Sequence, residues 1–348
     1  MVNKKLWILA GGAPLVALIL TIIVSAFQSD KKTTESIQIS SSQTPSNDQA
    51  MAENIVSFTP TDTGFIALQK TGKVIQLNFD DVTQELGTIP TPSFTNVFVS
   101  RDGTKVAGQN RSVNGEAQTW QVYDSKTGKL LTTFGEDIDA PGWSPKSNRI
   151  LYAYALANGR YNLSIADPDG GNWKALRELP DVVDAIDWLP NETYALLTFG
   201  SGRLRVLDQI GLSSLKRTTL VERLVDLQIS PRGKWILVAQ ATDDEFDASV
   251  QLLLAAITGD GVGELKPLSL TPDLRFMAWD QDEKTLLALN LDEQTLVRYS
   301  VSDGTQKIIE LTSDQKNALI DTYQVLGFYG QNLWVFANSA IVSVKIEE

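Results

Sequence analysis

The sequence contains neither cysteine nor histidine. Without cysteine the chain forms no disulfide, no thiolate metal site and no lipid-modified cysteine. Without histidine it lacks the usual general base at neutral pH, the Ser-His-Asp arrangement and the commonest transition-metal ligand. The nucleophile motif G-x-S-x-G and the phosphate-binding motif G-x-x-x-x-G-K-[ST] are also missing. We therefore expect a protein that is not an enzyme and that uses no cofactor or metal ion.

Positive charge is scarce, because 30 Lys and Arg face 42 Asp and Glu and give a formal net charge of -12. Nucleic-acid binding normally needs a basic surface, so we expect no nucleic-acid partner. Hydrophobic residues make up 43% of the 348 residues, which is enough for a large globular core.

Residues 6–27 form an uncharged, mostly apolar run that is long enough to cross a hydrocarbon core. Lys4 and Lys5 precede it, so the positive-inside rule predicts a cytoplasmic end over residues 1–5 and a large domain outside the cytoplasm. The run is longer than a typical signal-peptide core, which favours an uncleaved transmembrane signal-anchor helix in the cell membrane. The alternative is a secreted protein that is cleaved near Ala26.

Residues 28–52 are rich in Ser, Thr and Gln and are predicted to be a flexible tether. Within it, residues 36–39 alternate like a strand. We expect residues 53–348 to form the folded domain.

A pattern repeats through the folded domain, at intervals of 40–50 residues: an apolar or aromatic residue, a short turn and an apolar strand. A third strand-like run follows each copy, and a fourth follows most of them. The seven copies are FTPTDTGFIAL from Phe58, FVSRDGTKVAG from Phe98, WSPKSNRILYA from Trp143, WLPNETYALLT from Trp188, ISPRGKWILVA from Ile229, WDQDEKTLLAL from Trp279 and FYGQNLWVFAN from Phe328.

This period, with four short strands in each unit, predicts an all-β fold, namely a seven-bladed β-propeller, with six or eight blades as the alternative. The leading apolar residues are predicted to pack between neighbouring sheets rather than to form a binding surface. The last copy ends after its third strand, so we expect residues 36–39, or a neighbouring piece of the tether, to supply the missing outer strand.

The third copy, WSPKSNRILYA followed by LSIADPDGGN, resembles the repeat of TolB-like, WD40-like periplasmic β-propellers. The fifth copy, ISPRGKWILVA, and the SRDGTKVAG part of the second match that repeat in part. The resemblance concerns the fold of residues 53–348 and implies a periplasmic-type protein-interaction scaffold. It carries over no functional residue.

Acidic residues are frequent in the loops that precede first strands or join second to third strands, and these loops share one rim of a propeller. Such a rim could dock a basic segment of a protein partner at the membrane or cell envelope, whereas the plainer interpretation is that the acids keep the domain soluble. The residues predicted for this docking rim are Asp139, Asp184, Asp226, Asp243, Asp244, Glu245 and Asp247.

The turn Asp167-Pro168-Asp169-Gly170-Gly171-Asn172 has closely spaced oxygen ligands, but it lacks the remaining ligands of a calcium loop. It is better explained as a tight turn in which glycine supplies a positive φ and aspartate bonds to the backbone. The sequence thus favours an interaction scaffold, with a carboxylate-based hydrolase of cell-surface carbohydrate or a ligand-sensing propeller as alternatives.

Overall fold

The computed structural model describes residues 50–80, 83–90, 94–110, 119–135, 138–200, 205–243, 249–270, 277–290, 293, 295–319 and 322–346. Within these ranges, no helix has the length and apolar character needed to span a membrane. The membrane segment predicted at residues 6–27 and the strand predicted at residues 36–39 lie outside them.

Nearly all regular secondary structure in the described chain is β-strand, which confirms the prediction of an all-β fold. A short helix, α1 (Ser313–Leu319), precedes the last three strands. In chain order the strands are β1 (Ala50–Ala52), β2 (Ile55–Pro60), β3 (Gly64–Gln69), β4 (Lys73–Asn78), β5 (Thr83–Thr88), β6 (Phe94–Val99), β7 (Lys105–Asn110), β8 (Trp120–Asp124), β9 (Leu130–Phe134), β10 (Ile138–Trp143), β11 (Ile150–Ala155), β12 (Tyr161–Ala166), β13 (Lys174–Leu179), β14 (Val183–Trp188), β15 (Tyr194–Phe199), β16 (Arg205–Gly211), β17 (Arg217–Ile229), β18 (Trp235–Ala241), β19 (Val250–Thr258), β20 (Gly261–Val262), β21 (Lys266–Leu268), β22 (Met277–Trp279), β23 (Thr285–Asn290), β24 (Thr295–Ser300), β25 (Gln306–Glu310), β26 (Thr322–Tyr329), β27 (Asn332–Ala337) and β28 (Ala340–Lys345).

These strands form antiparallel meanders, in which each strand pairs with the next along the chain. Sheets one, two, three and six comprise β2–β5, β6–β9, β10–β13 and β22–β25. Sheets four and five are two further meanders that belong to one eight-stranded sheet and share the long strand β17. The first part of β17 pairs with β16 and completes sheet four. The last part of β17 pairs with β18 and begins sheet five. Sheet seven comprises β26, β27 and β28, and its fourth strand is β1 from the other end of the described chain.

The sheets are held face to face by apolar side chains, which form seven buried clusters within the described ranges. Six clusters each join two sheets that are consecutive along the chain. The seventh joins the first sheet to the last, because Phe58 and Phe65 of sheet one pack with Trp334 and Phe336 of sheet seven. Full burial of one such side chain contributes about 1.5–3 kcal/mol. Each sheet therefore depends on a neighbour for the cover of each face.

The leading residues of the repeat pack between sheets as predicted, with one shift of register. Trp188 lies in the cluster between sheets three and four, and Trp279 in the cluster between sheets five and six. In sheet two the equivalent residue is Val99, which pairs with Val106 and faces sheet one, whereas Phe98 faces sheet three. The sequence pattern predicts Phe98 as the leading residue of the second copy, and this prediction is wrong by one position.

The turns between first and second strands are connected from sheet to sheet by side chains. The fourth residue of the turn has a positive φ in sheets three, four and six, and its side chain accepts a hydrogen bond from a backbone N–H in the turn of the preceding sheet. Glu192 also forms an ion pair with Arg149, at 3.2 Å. The acceptors and N–H donors are Ser147 with Asp102 at 3.3 Å, Glu192 with Lys146 at 3.1 Å, and Glu283 with Arg232 at 2.5 Å.

Close approach of neighbouring first strands requires a glycine at position 142. A Cβ atom placed there would lie 2.5 Å from the carbonyl oxygen of Ile186, and the Gly142 carbonyl itself accepts a hydrogen bond from the Trp188 indole at 3.0 Å. We expect Gly142→Ala to lower the free energy of unfolding by about 1–3 kcal/mol, because the backbones of β10 and β14 must move apart. Urea denaturation followed by tryptophan fluorescence measures this change.

Gly135→Ala is the matched control, since a Cβ at Gly135 would meet no atom within 4 Å. We expect that variant to stay within about 0.5 kcal/mol of the parent chain. Equal midpoints for the two variants would contradict the close packing of first strands.

Candidate functional site

The sheets present two different edges to solvent. The loop face is the edge where second strands connect to third strands and where one sheet leads to the next; it includes Asp181 and Asp243. The pairing of Val183 with Phe199 places the start of β14 and the end of β15 at this edge. The turn face is the opposite edge, which carries the turns between first and second strands.

The acids predicted for the docking rim differ in exposure. Asp243, directly after β18, is exposed on the loop face, and so is Asp181. Asp226 is half-buried, and its carboxylate accepts a hydrogen bond from its neighbour's backbone N–H at 2.8 Å. Asp184 is only 7% exposed, which leaves a partner little surface to contact.

The other four predicted rim residues have no described side-chain environment. Asp139 lies in β10, where its backbone pairs with Ala153. Asp244, Glu245 and Asp247 lie outside the described residues. The structure thus leaves Asp181 and Asp243 exposed on one face, and the grouping of the seven predicted rim residues stays a prediction.

Asp187 lies on the inner strand β14, on the side that faces sheet five. It pairs with Leu196, which belongs to the cluster between sheets four and five. Burial raises the pKa of the Asp187 carboxyl from 3.8 to about 6, and the charge of Arg205 opposes that rise. Arg205 is held in place because its Nη1 donates to the carbonyl oxygen of Val225 at 3.0 Å. The side of sheet four that packs against sheet five therefore holds a carboxyl group whose pKa is raised to about 6.

A second buried carboxylate, Asp208, lies between sheets three and four. It is completely buried and forms an ion pair with Arg217, whose guanidinium lies 4.3 Å from the centre of the Phe199 ring. Sequence patterns gave no signal for this pair, because its two members lie nine positions apart on adjacent strands. Arg217 compensates the charge of Asp208, whose other carboxylate oxygen has no hydrogen-bond partner among the described residues.

Arg101 is a charged residue of the turn face that contacts the turns of two other sheets. Its Nη2 donates to the carboxylate of Asp62 in the first turn of sheet one and, at 2.5 Å, to the carbonyl oxygen of Pro231 in the turn of sheet five. One side chain therefore connects the turns of sheets one, two and five.

The turn at Asp167–Asn172 satisfies its own polar groups. The Asp167 carboxylate accepts a hydrogen bond from the Asn172 side chain at 2.5 Å, and Asp169 accepts one from the Gly171 backbone at 2.9 Å. Gly170 has a φ of 83°. This agrees with its interpretation as a tight turn. Over the part of the chain that the structure describes, no group of three or more acidic side chains is arranged to hold a metal ion.

The raised pKa of Asp187 predicts a specific pH dependence of stability. Between about pH 4 and pH 6 the folded chain keeps this proton while the unfolded chain releases it, so the stabilisation is complete below pH 4 and is lost as the pH rises through 6. Asp187→Asn removes this titration. We subtract the melting temperature of the parent chain from that of the variant at each pH. We expect this difference to rise from pH 4 to pH 6 and then to stay level.

Thermal denaturation of both chains in buffers from pH 4 to pH 8 checks this expectation. Asp260→Asn, an exposed change on the turn face, serves as the control and should show no such trend. A difference between Asp187→Asn and the parent that does not depend on pH would contradict the raised pKa.

Comparison with known proteins shows the fold but no family. No protein-family model matches the chain, and no curated protein matches it in sequence. Hydrazine synthase of Kuenenia stuttgartiensis is similar in structure at 11% identity, with a TM-score of 0.51 over 89% of this chain and 99% of that chain. An oligogalacturonate lyase in complex with manganese is similar at 8% identity, with a TM-score of 0.53 over 79% of this chain and 83% of that chain.

A putative TolB from Agrobacterium tumefaciens is 16% identical over 62% of this chain and 82% of that chain, with a TM-score of 0.44 that is too low to support an argument. The oligogalacturonate lyase has a β-propeller fold, and the likeness to it indicates the same type of fold for this chain. At these identities the similarity says nothing about activity.

Proposed function

We propose that this chain is a membrane-anchored, extracytoplasmic β-propeller of seven blades, closed into a ring, that acts as a protein-interaction scaffold. The closed ring is supported by the cluster in which Phe58 of sheet one packs with Phe336 of sheet seven, and by the pairing of β1 with β28. It is also supported by Arg101, since its bond to Pro231 spans 130 positions and joins turns of sheets that are three steps apart.

We assign the docking function to the loop face. The observation that carries it is the exposure of Asp181 and Asp243 on the same edge of neighbouring sheets. The first 27 residues carry a charge of +2 and residues 28–52 carry -1, so residues 53–348 carry -13. A basic segment of a partner protein complements such a surface, and loops on a rigid sheet framework are the usual place for binding.

The location is proposed from the sequence. Residues 6–27 supply the anchor, the lysines before them orient it, and the tether over residues 28–52 holds the ring close to the outer surface of the membrane. If the segment is cleaved near Ala26 instead, the ring is released and the docking surface is unchanged.

The alternative of a carboxylate-based hydrolase is less well supported. That chemistry requires two carboxyl groups about 5–10 Å apart that face a common substrate. Two aspartates of sheet four are each placed against an arginine, Asp187 near Arg205 and Asp208 paired with Arg217, and they face opposite sides of the sheet. We therefore favour docking over catalysis.

Charge reversal on the loop face tests the docking proposal. The double variant Asp181→Lys, Asp243→Lys changes two exposed positions and should leave the fold intact. We expect chemical cross-linking in membranes to recover a partner protein with the parent chain and to lose it with this variant, because the basic segment meets repulsion.

Asp260→Lys is the matched control, since it reverses one exposed charge on the turn face. It should recover the same partner as the parent chain. Equal recovery by the double variant would contradict docking on the loop face, whereas loss of the partner in the control as well would show that general charge, not this face, controls binding.

A further inference from the structure

On the turn face, several arginine N–H groups have no acceptor among the described residues. Arg101 uses Nη2 for its bonds to Asp62 and to the Pro231 carbonyl. A guanidinium has five N–H donors. Among the described residues, no acceptor lies within hydrogen-bond distance of Nε or Nη1 of Arg101, whose side chain is 31% exposed. Its position is fixed, while part of its hydrogen-bonding capacity remains open to solvent.

A second arginine, Arg232, follows Pro231 directly and is exposed. Its backbone N–H donates to Glu283 Oε1 at 2.5 Å, which fixes this turn against sheet six. Within the described ranges its guanidinium has neither an ion-pair partner nor a side-chain hydrogen bond. Glu283 is completely buried, and its other oxygen lies 3.8 Å from Lys234 Nζ. The Glu283 carboxylate therefore contacts the backbone of Arg232 and the side chain of Lys234, and within the described ranges it forms no ion pair with the Arg232 guanidinium.

Two arginines, Arg101 and Arg232, are associated with the first turn of sheet five in an acidic protein. The Arg101 guanidinium donates to the Pro231 carbonyl, and Arg232 is the next residue along the chain. Among the described residues, the carboxylate that pairs with either guanidinium is that of Asp62, whose side chain is 58% exposed. The chain carries -12 overall. Solubility alone does not explain a fixed, half-buried arginine with unused N–H donors.

We propose that Arg101 and Arg232 form a binding site for a phosphate-type oxyanion at the centre of the turn face. Guanidinium groups match the geometry of tetrahedral oxyanions and form short, charge-assisted hydrogen bonds with them. Nη1 of Arg101 and the guanidinium of Arg232 supply the donors. The Asp62 carboxylate occupies Nη2 and competes with the ligand for the positive charge. The site is on the face opposite the proposed docking surface, so the two can fail independently.

Calorimetric titration of the full chain with inorganic phosphate tests the site, with sodium chloride adjusted to keep the ionic strength constant. We expect Arg232→Gln to weaken phosphate binding about tenfold, the loss of one charge-assisted hydrogen bond. Asp62→Asn should strengthen binding, because it removes the competing carboxylate. Arg101→Gln should weaken binding as well, and its melting temperature must be compared with that of the parent chain because Arg101 also connects three turns.

Lys126→Gln is the matched control, since it removes one exposed positive charge from an outer turn of the same face. It should bind phosphate as the parent chain does. The proposal is overturned if the parent chain releases no heat with phosphate, or if Arg232→Gln and Lys126→Gln weaken binding equally. Weaker binding by Asp62→Asn would also overturn it, since that result would make Asp62 part of the site.

Discussion

The structure depends on the burial of both faces of each small sheet. A meander of four short strands cannot cover its own apolar side chains, so every sheet requires a neighbour on each side. The chain supplies neighbours in sequence order for all but two of these faces. The remaining two belong to the first and last sheets, and the aromatic cluster of Phe58, Phe65, Trp334 and Phe336 brings them together. The three-residue strand β1 completes the last sheet from the other end.

This packing leaves the two edges for polar residues, and the edges differ. On the turn face, Glu192 and Glu283 connect neighbouring turns, and Arg101 reaches across to sheet five, so the turns restrain one another. The described part of the loop face has exposed acids at Asp181 and Asp243. A face whose turns are connected to one another provides a fixed platform, whereas a face of separate loops provides an adaptable surface.

The period of the sequence was sufficient to predict the strands and the packing of residues such as Trp188 and Trp279, because burial on both faces selects apolar residues at regular positions. It could not resolve shifts of one residue: Val99, not Phe98, takes the equivalent position in sheet two. The β-bulge near Asp184 has the same consequence, since a change of register decides whether an acid faces water or the core. Contacts between distant turns, such as Arg101 with Pro231, leave no local signal in the sequence.

We propose that the pairing of the first and last described strands, β1 and β28, closes the ring. The chain has no cysteine, so a double variant with Ala52→Cys and Ile341→Cys reports on this pairing alone. These residues are directly opposite each other in the antiparallel pair, at a separation that suits a disulfide. Closure predicts that oxidation forms an intramolecular disulfide in nearly all molecules and raises the melting temperature. Free thiols, or disulfides only between molecules, would contradict it.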